Sequence, residues 1–418
     1  MKVITTWIVS VLIVFIVFYS CKPSADSSWI NQNYLTAGKQ IESMAATIGD
    51  SSKIPATVKE QGGLHVVNLY DWRSGFFAGN MWNMYEFTTD TSWSKMARRW
   101  TSALEPLQWF TEHHDLGFMV YCSYGAGYRL TGDTAYSRII VQAAQSLSTR
   151  YSPVTKTIKS WNSFKSWTDS TIYYYPVIID NMMNLELLFY ASEASGNPTF
   201  RNIAISHTNT TLENHFREDF SAYHVVMYDS ATGKVLGKES AQGYANESAW
   251  ARGQAWALYG FTTTYRWTKD ERYLKQAVNI ANYLMKHPNL PVDKVPYWDY
   301  NAGQPGFTPC GPNAAKYSSG VQPRDASAAA IIASALLELC EYVPLAEGEP
   351  MIAFATSTLQ TLSTPAYRAT QGTNADFLLM HSVGSIPHGG EIDVPLIYAD
   401  YYYLEALLRL DKNNKKAR

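Results

Sequence analysis

Apolar and polar positions along this chain recur as a unit of two unlike helices. The first segment of a unit is apolar or small on several sides, as in Asn184 to Ala194 and Gln254 to Trp267. A polar turn follows, then an aromatic residue, then an amphipathic segment. The turns are Thr89-Asp90-Thr91-Ser92-Trp93, Thr131-Gly132-Asp133-Thr134-Ala135-Tyr136, Ser195-Gly196-Asn197-Pro198-Thr199-Phe200 and Thr268-Lys269-Asp270-Glu271-Arg272-Tyr273. Such residues stop one helix and start the next. The last unit is the clearest, with Tyr273, Leu274, Ala277, Ile280, Ala281 and Leu284 on one face at helical spacing. A helix apolar on several sides is buried, and one with a single stripe lies outside it. The unit therefore predicts an inner helix followed by an outer one.

Ala326 to Tyr342, Met351 to Leu362 and Pro395 to Leu410 predict further members, giving about five to seven helical hairpins of unequal length. Strand signals are few. Tyr223 to Tyr228, followed by Asp229-Ser230-Ala231-Thr232-Gly233, predicts one small hairpin. The polar end caps of an open solenoid are not visible, so the pattern favours a closed all-α toroid. No Pro/Gly/Ser-rich linker interrupts residues 30–410, which reads as one domain.

The first twenty residues stand apart. Met1-Lys2 precedes an apolar run from Val3 to Tyr19, and Ser20-Cys21 leads into the polar Lys22-Pro23-Ser24-Ala25-Asp26. This is the pattern of a signal peptide, and the run is a little short for a membrane span. A cysteine at the junction predicts a bacterial lipoprotein lipidated on Cys21, although Phe18 stands where leucine is usual. The expectation is a leader over 1–20, a tether over 21–28 and a single domain over 29–418. It places the protein in the cell envelope, on the periplasmic side of the outer membrane, touching membrane only through the lipid.

Composition removes several function classes. The net charge of −2 offers no basic field for nucleic acid, and no later segment is long and apolar enough to span a membrane. Cys122, Cys310 and Cys340 are odd in number and lack metal-like spacing, so they read as buried free thiols. His113-His114-Asp115 could begin a metal site, but no third ligand follows at zinc-like spacing; no metal or other cofactor is expected. Phosphate loops and nucleophile elbows are missing. Aromatic residues make up 14% of the chain. Most must be core, yet aromatic faces also stack on sugar rings.

Two aspartates lie in aromatic sequence. Asp115 follows His113-His114 and precedes Leu116-Gly117-Phe118; Asp180 ends the run Tyr173-Tyr174-Tyr175-Pro176-Val177-Ile178-Ile179. Burial raises a carboxyl pKa toward the range useful for proton transfer, so the pair suggests acid/base work on a carbohydrate. Trp72-Arg73-Ser74-Gly75-Phe76-Phe77-Ala78-Gly79 suits a loop against a ligand or equally a packed turn. The densest polar-aromatic stretch runs from Gln242 to Trp256. In it Trp250, Arg252 and Trp256 can frame a cavity, and the Arg252 fork suits a carboxylate or, as readily, Glu247 or an inner-ring aspartate. His224, in an apolar hairpin, reads by itself as a core histidine.

His114-Asp115-Leu116-Gly117-Phe118, the Asp180-Asn181 junction and Trp250-Ala251-Arg252-Gly253-Gln254-Ala255-Trp256 resemble the signatures of glycoside hydrolase family 88, the unsaturated glucuronyl hydrolases. Ser74 to Gly79 and Leu396-Ile397-Tyr398-Ala399-Asp400-Tyr401-Tyr402 also fit, and the likeness spans about residues 70–410. The resemblance implies an (α/α)6 barrel that removes a 4,5-unsaturated uronic acid from the non-reducing end of lyase-generated oligosaccharides. It further implies that Asp180 is the general acid and base and Asp115 its partner. His224 and Gln242 would face the uronate, and Trp250, Arg252, Trp256 and His114 would line the sugar site. Trp72 and Phe76 would stack near the aglycone. The segment His381 to Asp393, expected on that side, holds no lysine or arginine. Two other readings remain: an unsaturated rhamnogalacturonyl hydrolase acting on pectin fragments, and a non-catalytic glycan-binding lipoprotein.

Overall fold

Four of the helical hairpins reverse on the same two-residue device. Thr89, Gly132, Gly196 and Lys269 end one helix in the left-handed conformation, with φ of 58, 67, 72 and 57°. The next residue, Asp90, Asp133, Asn197 or Asp270, caps the following helix by accepting a hydrogen bond from the N–H two residues on. A left-handed C-cap and an Asx N-cap satisfy the free backbone groups of both helix ends at once. Three residues past each cap, Trp93, Tyr136, Phe200 and Tyr273 are buried. They anchor the outgoing helix to its partner.

The computed structural model describes residues 28–416. The expected leader, Cys21 and residues 21–27 of the expected tether lie outside the described residues, while Ser28 already belongs to the first helix. Six inner helices form a closed ring: α2 (Ser74–Thr88), α4 (Ala126–Thr131), α6 (Leu185–Ser195), α8 (Ala251–Thr268), α11 (Ala326–Leu339) and α13 (Ile397–Lys416). A π-turn, Gly117–Gly125, leads into α4, and a 3-10 run, Ile179–Asn184, leads into α6. Around the ring lie α1 (Ser28–Ile48), α3 (Thr91–Ser102), α5 (Thr134–Ser148), α7 (Pro198–Asn214), α9 (Glu271–Lys286) and α12 (Leu345–Leu362). The short α10 (Gly311–Ala315) sits in the loop between α9 and α11. This is the (α/α)6 barrel, within the five to seven hairpins expected. The chain closes it end to end. Tyr34 of α1 donates its hydroxyl to the Leu404 carbonyl of α13 at 2.6 Å, and Tyr403 donates to Asn33 Oδ1 at 2.8 Å.

Because each outer helix folds back on an inner one, all six inner helices run in the same direction. Their C-terminal end is belted by ion pairs. Arg129 of α4 meets Glu86 of α2, and Lys412 of α13 meets the same carboxylate. Arg266 of α8 joins Glu186 of α6 to Glu338 of α11, which also holds Arg409 of α13 at 2.9 Å. Networked pairs that share partners resist loosening better than isolated surface pairs do. Toward the N-terminal end of the inner helices, the rings of Phe76, Phe118, Trp256, Tyr398 and Tyr402 pack with centroids 5.0–6.4 Å apart and plug the bore there.

The N-terminal end of the inner ring carries long loops and five small antiparallel sheets among the described residues. The expected hairpin is present as Val225–Tyr228 paired with Val235–Glu239. A third strand, Pro176–Ile178, joins it in the register Ile178↔Val225. The apolar run that ends at Asp180 is therefore a strand feeding the α6 lead-in, which the hydrophobic pattern did not reveal. Helix boundaries also shift slightly from expectation: α12 begins at Leu345, with Pro350 inside it, and α13 runs on to Lys416.

Candidate active site

Strand register brings the first two site residues together. The pair Ile178↔Val225 is extended by an Ile179 N–H bond to the His224 carbonyl at 3.0 Å, so Asp180 and His224 emerge side by side. His224 Nε2 lies 3.8 Å from Asp180 Oδ2. The other ring nitrogen, Nδ1, accepts from the backbone N–H groups of Ala241 and Gln242, each at 3.2 Å. A nitrogen that accepts twice carries no hydrogen, which places the proton on Nε2 facing Asp180. Burial, helped by the Arg252 charge, pushes the imidazole well below its usual pKa, so His224 is a neutral donor.

Asp180 stands at the start of the 3-10 run with its Oδ2 buried and without a hydrogen-bond partner. Burial pushes this carboxyl up to about 7; the Arg252 charge opposes the shift and the Asp115 charge adds to it. Asp115 behaves differently. Its carboxylate meets His113 Nδ1 at 3.0 Å and lies 3.4 Å from His114 Nε2. Burial raises it, but the two histidines and Arg150 outweigh burial and hold it below the ordinary carboxylate range. The expectation that burial raises both carboxyls is thus corrected for Asp115. A pair whose environments drive the pKa values apart can divide acid and base roles.

The two carboxylates are held in one frame. Phe118 N–H donates to Asn184 Oδ1 at 3.1 Å, and Gly117 lies so close that an added Cβ would stand 2.4 Å from Asn184 Cα. Only glycine permits that approach. The π-turn beginning at Gly117 offsets the helical ladder just after Asp115, a distortion common at functional positions.

Arg252 spends its fork within the protein. Nη2 donates to the Gly384 carbonyl at 2.7 Å and to Gln242 Oε1 at 3.2 Å, and Nη1 donates to the Val383 carbonyl and to Asp325 Oδ2 at 3.3 Å. Of the partners considered from the sequence, it takes an inner-ring aspartate; Glu247 pairs instead with Arg217 at 3.6 Å. The guanidinium sits 4.6 Å above the Trp250 ring, whose indole is tilted against His224 at 4.3 Å. Trp250 is thus clasped between the arginine and the histidine. Trp250, Trp256 and His114, expected to line the sugar site, are buried in this structure. Phe76, expected to stack near the aglycone, is 0% exposed and surrounded by Trp72, Phe118, Tyr398, Tyr401 and Tyr402. That expectation is corrected: Phe76 belongs to the aromatic fill of the bore. Trp72 remains half-buried above it.

Beside this centre opens a cleft of about 590 Å³, lined by Trp161, Phe164, Lys165, Trp167, Gln242 and His388 together with three serines. Gln242 is common to the cleft and the Arg252 network. Trp161 stands edge-on to His224 at 6.1 Å, and Trp167 reaches His388 at 5.1 Å. The loop supplying the two tryptophans was not singled out from sequence; its only signal is the spacing Trp161, Phe164, Trp167. No group of three metal-binding side chains occurs among the described residues.

The sequence signature of Glycosyl Hydrolase Family 88 matches residues 51–287. The chain belongs to Glycosyl Hydrolase Family 88. Among its relatives in family 88, an unsaturated glucuronyl hydrolase of Formosa agariphila is 45% identical over 347 residues, covering 83% of this chain and 81% of that one. An unsaturated chondroitin disaccharide hydrolase of Streptococcus agalactiae is 33% identical, covering 87% of both chains. The crystal structure of an unsaturated glucuronyl hydrolase specific for heparin superposes with a TM-score of 0.84 at 43% identity, covering 93% of this chain and 98% of that one. A Streptococcus agalactiae glucuronyl hydrolase mutant complexed with dGlcA-GalNAc6S superposes with a TM-score of 0.74 at 29% identity, covering 93% and 92%.

Proposed function

We propose that this chain is an unsaturated glucuronyl hydrolase, removing 4,5-unsaturated uronic acid from the non-reducing end of glycosaminoglycan fragments made by lyases. The observation that carries the reading is the split carboxyl pair: Asp180 held protonated to about pH 7 beside an ionised Asp115. Ordinary glycosidases direct two carboxyls at the anomeric carbon. An unsaturated uronide offers a more reactive bond, the C4=C5 vinyl ether, to which a neutral carboxylic acid can donate.

In this mechanism Asp180 gives its proton to C4, and positive charge develops at C5, shared with the ring oxygen. The resulting Asp180 carboxylate takes a proton from water as the water oxygen bonds to C5. The hemiketal formed opens, and the aglycone leaves from C1 with its oxygen. Asp115, fixed by His113, holds sugar hydroxyls and keeps Asp180 protonated through its charge. The neutral His224, with Nε2–H turned to Asp180, places the water and touches the uronate together with Gln242. Loss of the ultraviolet absorbance of the double bond on mixing with an unsaturated disaccharide tests the activity. Turnover of pectin-derived but not glycosaminoglycan-derived disaccharides would move the substrate class, and binding without turnover would sink the enzymatic reading.

The N-terminal pattern supports lipidation at Cys21 and a place in the bacterial cell envelope, on the periplasmic side of the outer membrane. Incorporation of a labelled fatty acid that survives in Cys21→Ser would refute it.

A further inference from the structure

The cleft beside the catalytic centre carries an uneven charge. Of its lining residues, Lys165 has the one formal charge, and no carboxylate lines the cavity with it. His388 is kept on the neutral side by burial. Lys165 is positioned by backbone rather than by an acidic partner: Phe164-Lys165 pairs antiparallel with Ile172-Tyr173 in the register Lys165↔Ile172. Among the described residues, its ammonium takes part in no ion pair or hydrogen bond, and it is not one of the residues with unprinted partners. The hydroxyls of Ser163 and Ser170 line the same cavity and are equally free. Ser170 is held at φ 64°, a left-handed conformation uncommon for serine, at the turn of this hairpin. The neighbouring aromatic walls are fixed, because Trp167 Nε1 donates to the Ala241 carbonyl at 3.2 Å and Trp161 stands against His224.

Gln242 and Trp161 join this cleft to Arg252 and to His224, so on the proposed function it is the space open to the sugar next to the unsaturated ring. We propose that Lys165, with the hydroxyls of Ser163 and Ser170, recognises a sulfate ester on the sugar adjoining the unsaturated uronate. The hairpin 164–173 thereby supplies the cation that the segment His381 to Asp393 lacks. A tetrahedral oxyanion takes several donors, and an ammonium with two hydroxyls supplies them around one point. The inference rests on the glucuronyl hydrolase reading and adds the specificity of the cleft.

The experiment compares sulfated and unsulfated unsaturated disaccharides of the same sugar backbone, using full-length wild type, Lys165→Ser and Lys165→Arg at low and moderate salt. The wild type is expected to prefer the sulfated form by about tenfold in kcat/KM, the effect of one charge-assisted contact. The preference should appear in KM, weaken with salt, vanish in Lys165→Ser and persist largely in Lys165→Arg. Equal wild-type kcat/KM on both forms would overturn the proposal. So would a Lys165→Ser loss of the same size on both, which would mean that the lysine reads the uronate itself. Absence of turnover by wild type on every disaccharide would instead overturn the underlying functional reading, and this inference with it.

Discussion

Gly117 and Asn184 lie in contact, with no room for a methyl group between the turn that follows Asp115 and the run that follows Asp180. An added Cβ at Gly117 would stand 2.4 Å from Asn184 Cα and 2.7 Å from its Oδ1. Both neighbours are fixed, one as backbone and the other as the acceptor for Phe118 N–H, so the segments must move apart. Gly117→Ala is expected to lower stability by about 1–3 kcal/mol. It should lower kcat at least tenfold in the protein that stays folded, because the carboxyl spacing changes. Thermal melts and single-substrate kinetics check both effects.

Replacing Asp180 separates chemistry from folding. Asp180→Asn cannot donate a proton and is expected to lose on the order of 10³-fold in kcat, with disaccharide binding retained. Asp115→Asn leaves the donor in place and should lose less, while weakening binding through lost sugar contacts. Full activity in Asp180→Asn would end its assignment.

Protonation gives the carboxyl pair a pH signature. Asp180 must be a neutral acid, so kcat/KM should fall about tenfold per unit as pH rises above about 7. Asp115→Asn removes a negative charge that raises Asp180, so the alkaline limb should move to lower pH. For stability, the folded protein keeps the Asp180 proton to about pH 7, whereas an unfolded aspartate releases it near 4. Folding thus loses stability as pH climbs between these values. Asp180→Asn is therefore expected to melt about 2–4 °C above wild type at pH 8, with the gain disappearing near pH 4. A variant melting below wild type at pH 8 would contradict this.

What could be read in advance was what is written locally. A capped turn and an aromatic three residues past it define four of the hairpins, so the repeating helical pair was visible in stretches such as Asp90–Trp93 and Asp270–Tyr273. The two aspartates stood out because each interrupts an apolar stretch. Their unequal acidity did not, since it depends on how closely His113 and His114 approach one carboxylate and not the other. The His224 tautomer depends on pairing between strands nearly fifty residues apart and on the turn at Ala241-Gln242. Phe76 misled for another reason: an inner helix is apolar all round, so sequence does not say which aromatic faces the bore and which the cleft.

That distinction can be tested on two aromatics. Phe76→Ala should destabilise by about 3–5 kcal/mol, as expected of a buried ring, with little change in KM for protein that remains folded. Trp72→Ala, half-buried, should cost less stability. A KM increase of tenfold or more in Phe76→Leu, with an unchanged melt, would restore the ring to the substrate.

Arg252 acts through the loop it holds. Lysine cannot reach the Val383 and Gly384 carbonyls, Gln242 and Asp325 together. Arg252→Lys is expected to raise KM and to speed amide hydrogen exchange over residues 382–394, whereas a pure charge role would leave exchange there unchanged. Arg252→Ala strands the buried Asp325 and should destabilise by about 3–5 kcal/mol.

The hairpin sense of the barrel also fixes which way it faces. Inner helices begin at the cleft, so α1, an outer helix, runs the other way. Its second turn lies beside the last turn of α2, where Tyr34 stacks on Phe87. Ser28 therefore issues from the belted end, far from Asp180. Seven residue steps separate it from Cys21, a reach of about 25 Å at most. With Cys21 lipidated as proposed, the belted end of the barrel would rest near the lipid surface and the cleft would open away from it. Soluble glycan fragments would then diffuse in from the aqueous side without having to pass between the protein and its own membrane.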